Sequence, residues 1–147
     1  RPAGALRRAE LAVLQGDAAL AKQLAQQAAD FDKNNAHLLY DVAIMFARVG
    51  DIDGALLKID QAKRIDTSLG HIWFGEGLLY SEKGDNIRSI QSMKRAVQLD
   101  PLQDRWLYNL GVAHMQVGQT ERAKEALSKA VELNPSQAQY KQVLDGL

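Results

Sequence analysis

The side chains best suited to chemistry are three histidines, His37, His71 and His114, and the 147-residue chain has no cysteine to accompany them. A nucleophile would therefore have to be Ser, Thr or Lys beside a base. His37 and His71 lie 34 residues apart, a spacing that recurs along the chain. If it places them on equivalent packed helices roughly 8–10 Å apart, the two rings can face one groove. A metal ion would need a third and a fourth ligand, and the sequence offers none. The two histidines read better as polar residues at a groove edge, where a pH-sensitive partner contact is also open to them. Gly75-Glu76-Gly77 has neither dinucleotide nor Walker spacing. The carboxylates are scattered without a paired, buried arrangement. No catalytic residue, metal site or cofactor is expected, and the chain does not read as an enzyme.

The totals narrow the partner class. Eighteen Lys and Arg balance eighteen Asp and Glu, so no global charge draws the chain to nucleic acid or an anionic membrane. Runs of one sign, such as Arg7-Arg8, Lys63-Arg64 and Lys94-Arg95, are short and read as solvated helix faces. The lack of cysteine excludes disulfides without identifying a compartment. No apolar run approaches the roughly 20 residues of a membrane span, so direct membrane insertion is not expected. The chain starts at Arg1, as a fragment or processed form would, and anchors or targeting signals can lie outside it.

The frame that positions these groups is a repeat. Gly16, Gly50, Gly84 and Gly118 are each 34 residues apart. Cutting at that period gives units 2–35, 36–69, 70–103 and 104–137, with 138–147 left over. Each unit reads as a helix over positions 1–14, a turn near 15–17 and a second helix over 18–31. Glycine at position 15 suits a left-handed helix end. Asp17, Asp51 and Asp85 follow as caps for the second helix, and Gln119 is the weak copy. Second helices end near Asp32, Asp66, Asp100 and Asn134, with Pro101 and Pro135 as stops. No stretch alternates as a strand would.

Packing follows the same frame. Position 8 (Ala9, Ala43, Gly77, Gly111) is small and lets the two helices of a unit approach. Positions 20 (Ala21, Ala55, Ser89, Ala123) and 27 (Ala28, Ala62, Ala96, Ala130) seat the second helix. Larger residues at positions 4, 11, 24 and 30 fill what remains. Position 30 carries Phe31, Ile65, Leu99 and Leu133.

In the clearest copy, Asp104 to Gln137, the residues Leu107, Leu110-Gly111, Gly118, Ala123, Ala130 and Pro135 stand at offsets that resemble the tetratricopeptide repeat. The resemblance covers nearly the whole chain. It implies an all-α, right-handed solenoid of antiparallel helix pairs, four units plus a C-terminal helix, read as a single domain over 1–147. It further implies a concave surface lined mainly by the first helix of each unit.

Three departures stand out. The first unit has alanine at positions 4, 11 and 24 and Arg8 at position 7, so it should be thinly packed and first to fray. Glu76 occupies a usually hydrophobic position, and should either reach solvent or pair with a cation. His114 sits at core position 11, as a packed ring with its polar edge satisfied. Tyr140, Val143, Leu144 and Leu147 fall at helical spacing, either as a cap on the fourth unit or as the start of a truncated fifth.

The first-helix face is the informative surface. Positions 2, 5, 6, 9, 12 and 13 share it. Position 5 gives Leu6, Tyr40, Phe74 and Tyr108; position 9 gives Glu10, Ile44, Leu78 and Val112; position 12 includes Met115. Gly75 would leave a notch beside Phe74. His37, Asp41, Arg48, His71, Arg105 and Asn109 form a polar rim. Any one aromatic could instead pack on the neighbouring helix, but core positions 4, 8 and 11 are already supplied by other residues. Apolar rows with a polar rim suit a peptide or helix of a partner protein.

Chaperone-binding members of the resembled family grip a C-terminal carboxylate with Lys, Asn and Arg at positions 2 and 6. Here those positions hold Ala3, Arg7, Asp41, His71 and Gly75. Asp41 would repel a carboxylate, so that activity is not expected. The reading is a protein-interaction scaffold or adaptor in complex assembly, with Tyr40, Phe74 and Tyr108 as anchors. Two alternatives are self-assembly through exposed terminal helices and a docking or regulatory segment of a larger enzyme.

Overall fold

A computed structural model describes residues 1–147. Its regular elements are all helical: α1 (Pro2–Leu14), α2 (Ala18–Phe31), α3 (Ala36–Arg48), α4 (Ile52–Ile65), α5 (Gly70–Glu82), α6 (Asn86–Leu99), α7 (Asp104–Gln116), α8 (Thr120–Leu133) and α9 (Ala138–Asp145). The chain forms two compact units, Arg1–Thr67 with α1–α4 and Ser68–Leu147 with α5–α9. No helix is long and apolar enough to cross a membrane.

The all-α, paired-helix architecture matches the sequence expectation; the first helices start where expected, and the other three boundaries of each unit fall one position earlier. First helices occupy repeat positions 1–13 and second helices 17–30. The cause is the cap. Asp17, Asp51 and Asp85 are N-caps, so the next residue already begins the helix. Their carboxylates accept from the backbone N–H of Leu20 at 3.1 Å, Gly54 at 2.9 Å and Arg88 at 3.1 Å. Each such cap contributes about 1 kcal/mol. Gln119 makes no capping bond. Before each cap, Gly16, Gly50, Gly84 and Gly118 take φ of 76, 88, 80 and 77°, which a side chain would strain.

Within Arg1–Thr67 the first helix pair is packed largely through alanine. Ala5, Ala9, Ala12, Ala21, Ala25 and Ala28 are buried, while Leu11, Leu14 and Phe31 are exposed. From α3 onward larger residues take over, with Leu38, Leu39, Val42, Phe46 and Ile59 buried. Lys22 of α2 reaches Asp51 at 2.8 Å, joining the first pair to the cap of α4. The ammonium groups of Lys22 and Lys58 lie 5.5 and 5.8 Å from the centre of the Phe46 ring.

Within Ser68–Leu147, α5 and α7 approach their partners through glycine. A Cβ on Gly77 would stand 2.7 Å from Met93 Cγ, and one on Gly111 2.7 Å from Leu127 Cγ. Leu107, Tyr108, Leu127, Ala130 and Tyr140 form one apolar cluster, with Val143, Leu144 and Leu147 against it. The last helix therefore covers the fourth repeat.

One packing expectation is corrected and another is narrowed. Position 30 does not fill the interior: Phe31 is 66% exposed, and Ile65 and Leu133 are also open. It is the last helical residue, beyond the turns that the partner helix covers. Glu76 does not reach solvent but is buried, and Ser92 Oγ donates to its Oε1 at 2.7 Å.

Candidate partner-binding surface

The apolar rows fall on the first helix of each pair. In the N-terminal unit Tyr40 and Ile44 are half-buried on α3, flanked by exposed His37, Asp41 and Arg48. Burial, then the charge of Asp41, pushes the Tyr40 hydroxyl above the usual phenol value. In the C-terminal unit Phe74 is half-buried on α5, Leu78 is 41% exposed, and His71 is half-buried.

On α7 the arrangement differs from the expected row. Tyr108 is only 9% exposed, and its ring stacks on Tyr140 at 4.8 Å with the planes 26° apart. It belongs to the seam with α9 and is not an open anchor. Val112 and Met115 keep partial exposure while packing on the same cluster. The Arg105 guanidinium lies 5.9 Å from both tyrosine rings, which fixes an exposed cation at the helix start. Asn109 Nδ2 donates to the Arg105 carbonyl at 3.1 Å. Gly75 is buried, so the gap beside Phe74 is not an open notch.

The place beside Phe74 belongs to Trp106. The rings stack at 5.2 Å and 14°, and the indole also lies over Gly70, whose Cβ would stand 3.0 Å away. Sequence reasoning passed over Trp106 because it occupies position 3, where Leu38 and Ile72 are buried residues. Its size was the available signal. A tryptophan in place of aliphatic residues needs more room, and finds it over a glycine.

His114 is a packed ring as expected, with Nδ1 2.7 Å from Gln119 Oε1. No group of three or more His, Asp or Glu side chains is placed to hold a metal ion.

Comparison with known proteins fits this geometry. Residues 105–137 and 70–101 match tetratricopeptide-repeat profiles. The chain is a tetratricopeptide-repeat protein. Such repeats generally serve as non-enzymatic protein-interaction scaffolds. No curated protein matches by sequence. Among solved structures, MamA from Desulfovibrio magneticus RS-1 aligns with a TM-score of 0.82 at 23% identity, over 97% of this chain and 81% of that one. PilF of Pseudomonas aeruginosa aligns with a TM-score of 0.78 at 21% identity, over 95% and 64%. YrrB, described as a tetratricopeptide-repeat protein with an unusual peptide-binding site, aligns with a TM-score of 0.76 at 19% identity, over 92% and 70%. At these identities the likeness is one of fold.

Proposed function

We propose that this tetratricopeptide-repeat protein holds an extended or helical segment of a partner protein on its first-helix surface and thereby helps assemble a multiprotein complex. The observation that carries the reading is the stacked Phe74–Trp106 pair, half-buried beside exposed Leu78. Two rigid rings next to an open aliphatic offer area at low entropic cost, which is the composition of a binding hot spot. Arg105 and Asn109 on α7 supply a cation and an amide for the partner's backbone or acidic side chains. Tyr40 and Ile44, with Asp41, Arg48 and His37, offer a second apolar strip with a polar rim on α3. The four repeats would act as one interaction domain. The peptide-binding site ascribed to YrrB adds support by analogy of fold. With acidic and basic residues in balance, a protein is the expected partner and not a nucleic acid.

The test is capture of a partner from native lysate by the wild type and by Phe74→Ala, Trp106→Ala and their double variant, matched for helicity. Each single change should weaken binding of the captured partner by at least about 1 kcal/mol. Equal retention by wild type and double variant would remove these rings from the site.

A further inference from the structure

Outside the first-helix surface, the C-terminal unit has a second concavity. It is a furrow of about 440 Å³ where α6, α7 and α8 meet. Val97, Leu107, Leu110 and Ala126 give it an apolar floor. Its rim carries Lys94 from α6 and Arg122, Glu125 and Lys129 from α8. Three cations therefore face one carboxylate, in a chain whose total charge is zero. Lys129 lies 3.4 Å from Glu125, which neutralises that pair. Lys94 and Arg122 are exposed and have no acidic partner, so the furrow holds two uncompensated positive charges.

A second observation comes from the buried wall. His114 lines the furrow and is 4% exposed. Its Nδ1 bonds Gln119 Oε1, so Nδ1 carries the proton and Nε2 the lone pair in the neutral ring. Nε2 has no protein partner, yet no buried side-chain nitrogen or oxygen lacks one. Nε2 therefore keeps some accessible surface on a residue that lines the furrow.

We propose that this furrow is a second docking site, for an acidic amphipathic segment of a partner protein. An aliphatic side chain of that segment enters between Val97, Leu107, Leu110 and Ala126. Flanking carboxylates meet Lys94 and Arg122, and a backbone N–H donates to His114 Nε2. The charge pattern favours a protein segment over nucleic acid: two free cations above an apolar floor match a few carboxylates and a buried aliphatic, not a continuous phosphate backbone. Phe74 and Trp106 do not line the furrow, although Phe74 packs from the other side against the cluster that includes Leu110 and Ala126.

The probe is a fluorescein-labelled peptide alternating glutamate and leucine, followed by anisotropy and by the His114 imidazole resonances. Binding should shift the His114 signals. Lys94→Glu with Arg122→Glu, both exposed and outside the packed interior, should weaken it about tenfold and abolish the shift. Leu78→Ala, on the exposed first-helix surface and outside both the furrow lining and the cluster beneath it, should leave both readouts as in the wild type. Equal binding of a glutamine–leucine peptide, unchanged affinity in the charge-reversed variant, or unmoved His114 signals would each overturn the proposal. Equal competition by a single-stranded oligonucleotide would also count against it, by making the furrow a general polyanion site.

Discussion

Tyr140 Oη donates a 2.7 Å hydrogen bond to Asp104 Oδ2, tying the C-terminal helix to the first residue of α7. Asn134 Nδ2 donates to the same oxygen at 3.2 Å. The Tyr140 bond is the main cause that holds the Asp104 carboxyl below the usual carboxylate range, helped by Asn134 and Arg105 and opposed by burial. The Tyr140 hydroxyl is pushed up, first by burial and then by Asp104.

A lowered folded pKa means that the carboxylate's contribution is full above the unfolded aspartate value of about 3.9 and is lost as pH falls through the lower folded value. Asp104→Asn should melt below the wild type at pH 7, and the difference should shrink as pH drops below that value. For Tyr140 the sign reverses. A raised folded pKa gives stability that is full below the ordinary phenol value and is lost as pH rises through the raised one. Tyr140→Phe should therefore cost about 1 kcal/mol at pH 7 and progressively less in strong alkali. Thermal melts of the variants across pH check both signs, and a difference constant with pH would contradict them.

The close approach at Gly111 predicts an overpacking penalty. An added methyl would meet Leu127 Cγ at 2.7 Å and the Ala123 carbonyl at 3.3 Å. Helix propensity favours alanine by about 1 kcal/mol, while forcing a methyl into a packed core costs roughly 1–3 kcal/mol. The branched Leu127 is fully buried and has little room to retreat. Gly111→Ala should destabilise by about 1 kcal/mol net in chemical denaturation. Gly111→Ala combined with Leu127→Ala should lose the clash, so its cost should fall below the sum of the two single changes.

The repeat length, the glycine turns, the aspartate caps and the small packing positions were all legible in the sequence, because each is a local requirement repeated in phase. What was not legible depends on particular neighbours. Tyr108 has the same repeat position as Tyr40 and Phe74, but Tyr140 closes over it alone. Trp106 stacks on Phe74 because Gly70 leaves room, a coincidence spread over three places in the chain. Lys94 read as half of a short solvated run with Arg95, and nothing in the sequence singled out Arg122 or Lys129; the packing of α6, α7 and α8 brings them to one furrow. Glu76 looked anomalous because the hydroxyl that bonds it, Ser92 Oγ, sits 16 residues away on the next helix.

The alanine core of the first helix pair predicts graded stability. Ala5, Ala12 and Ala25 stand where later repeats place Leu39, Phe46 and Ile59, and each missing side chain removes roughly 1.5–3 kcal/mol of burial. The Lys22–Asp51 pair offsets little of this, since exposed pairs contribute about 0–1 kcal/mol. Amide hydrogen exchange should therefore be fastest in α1, slower in α3 and α4, and slowest in α7 and α8. Ala25→Leu tests the alternative that alanine is needed for fit: it should slow α1 exchange if room exists and accelerate it if the pair is already close-packed. Equal protection of α1 and α7 would show that the small core is no weaker than the large one.

The buried contact between Glu76 and Ser92 predicts a coupled pair. Both residues are under 5% exposed, and the 2.7 Å bond from Ser92 Oγ satisfies one carboxylate oxygen. Removing the hydroxyl takes away a short buried hydrogen bond to a carboxylate, so Ser92→Ala should cost about 1–3 kcal/mol. Glu76→Leu restores the residue type that this repeat position usually holds and removes the acceptor. In that background Ser92→Ala should cost no more than about 0.5 kcal/mol, because the hydrogen bond to the carboxylate is already gone. The difference between the two penalties is the coupling energy, read from denaturant midpoints in a double-mutant cycle. Equal penalties in both backgrounds would mean that the hydroxyl acts through packing alone. A larger penalty in the leucine background would mean that Ser92 bonds more strongly to the helix than to Glu76.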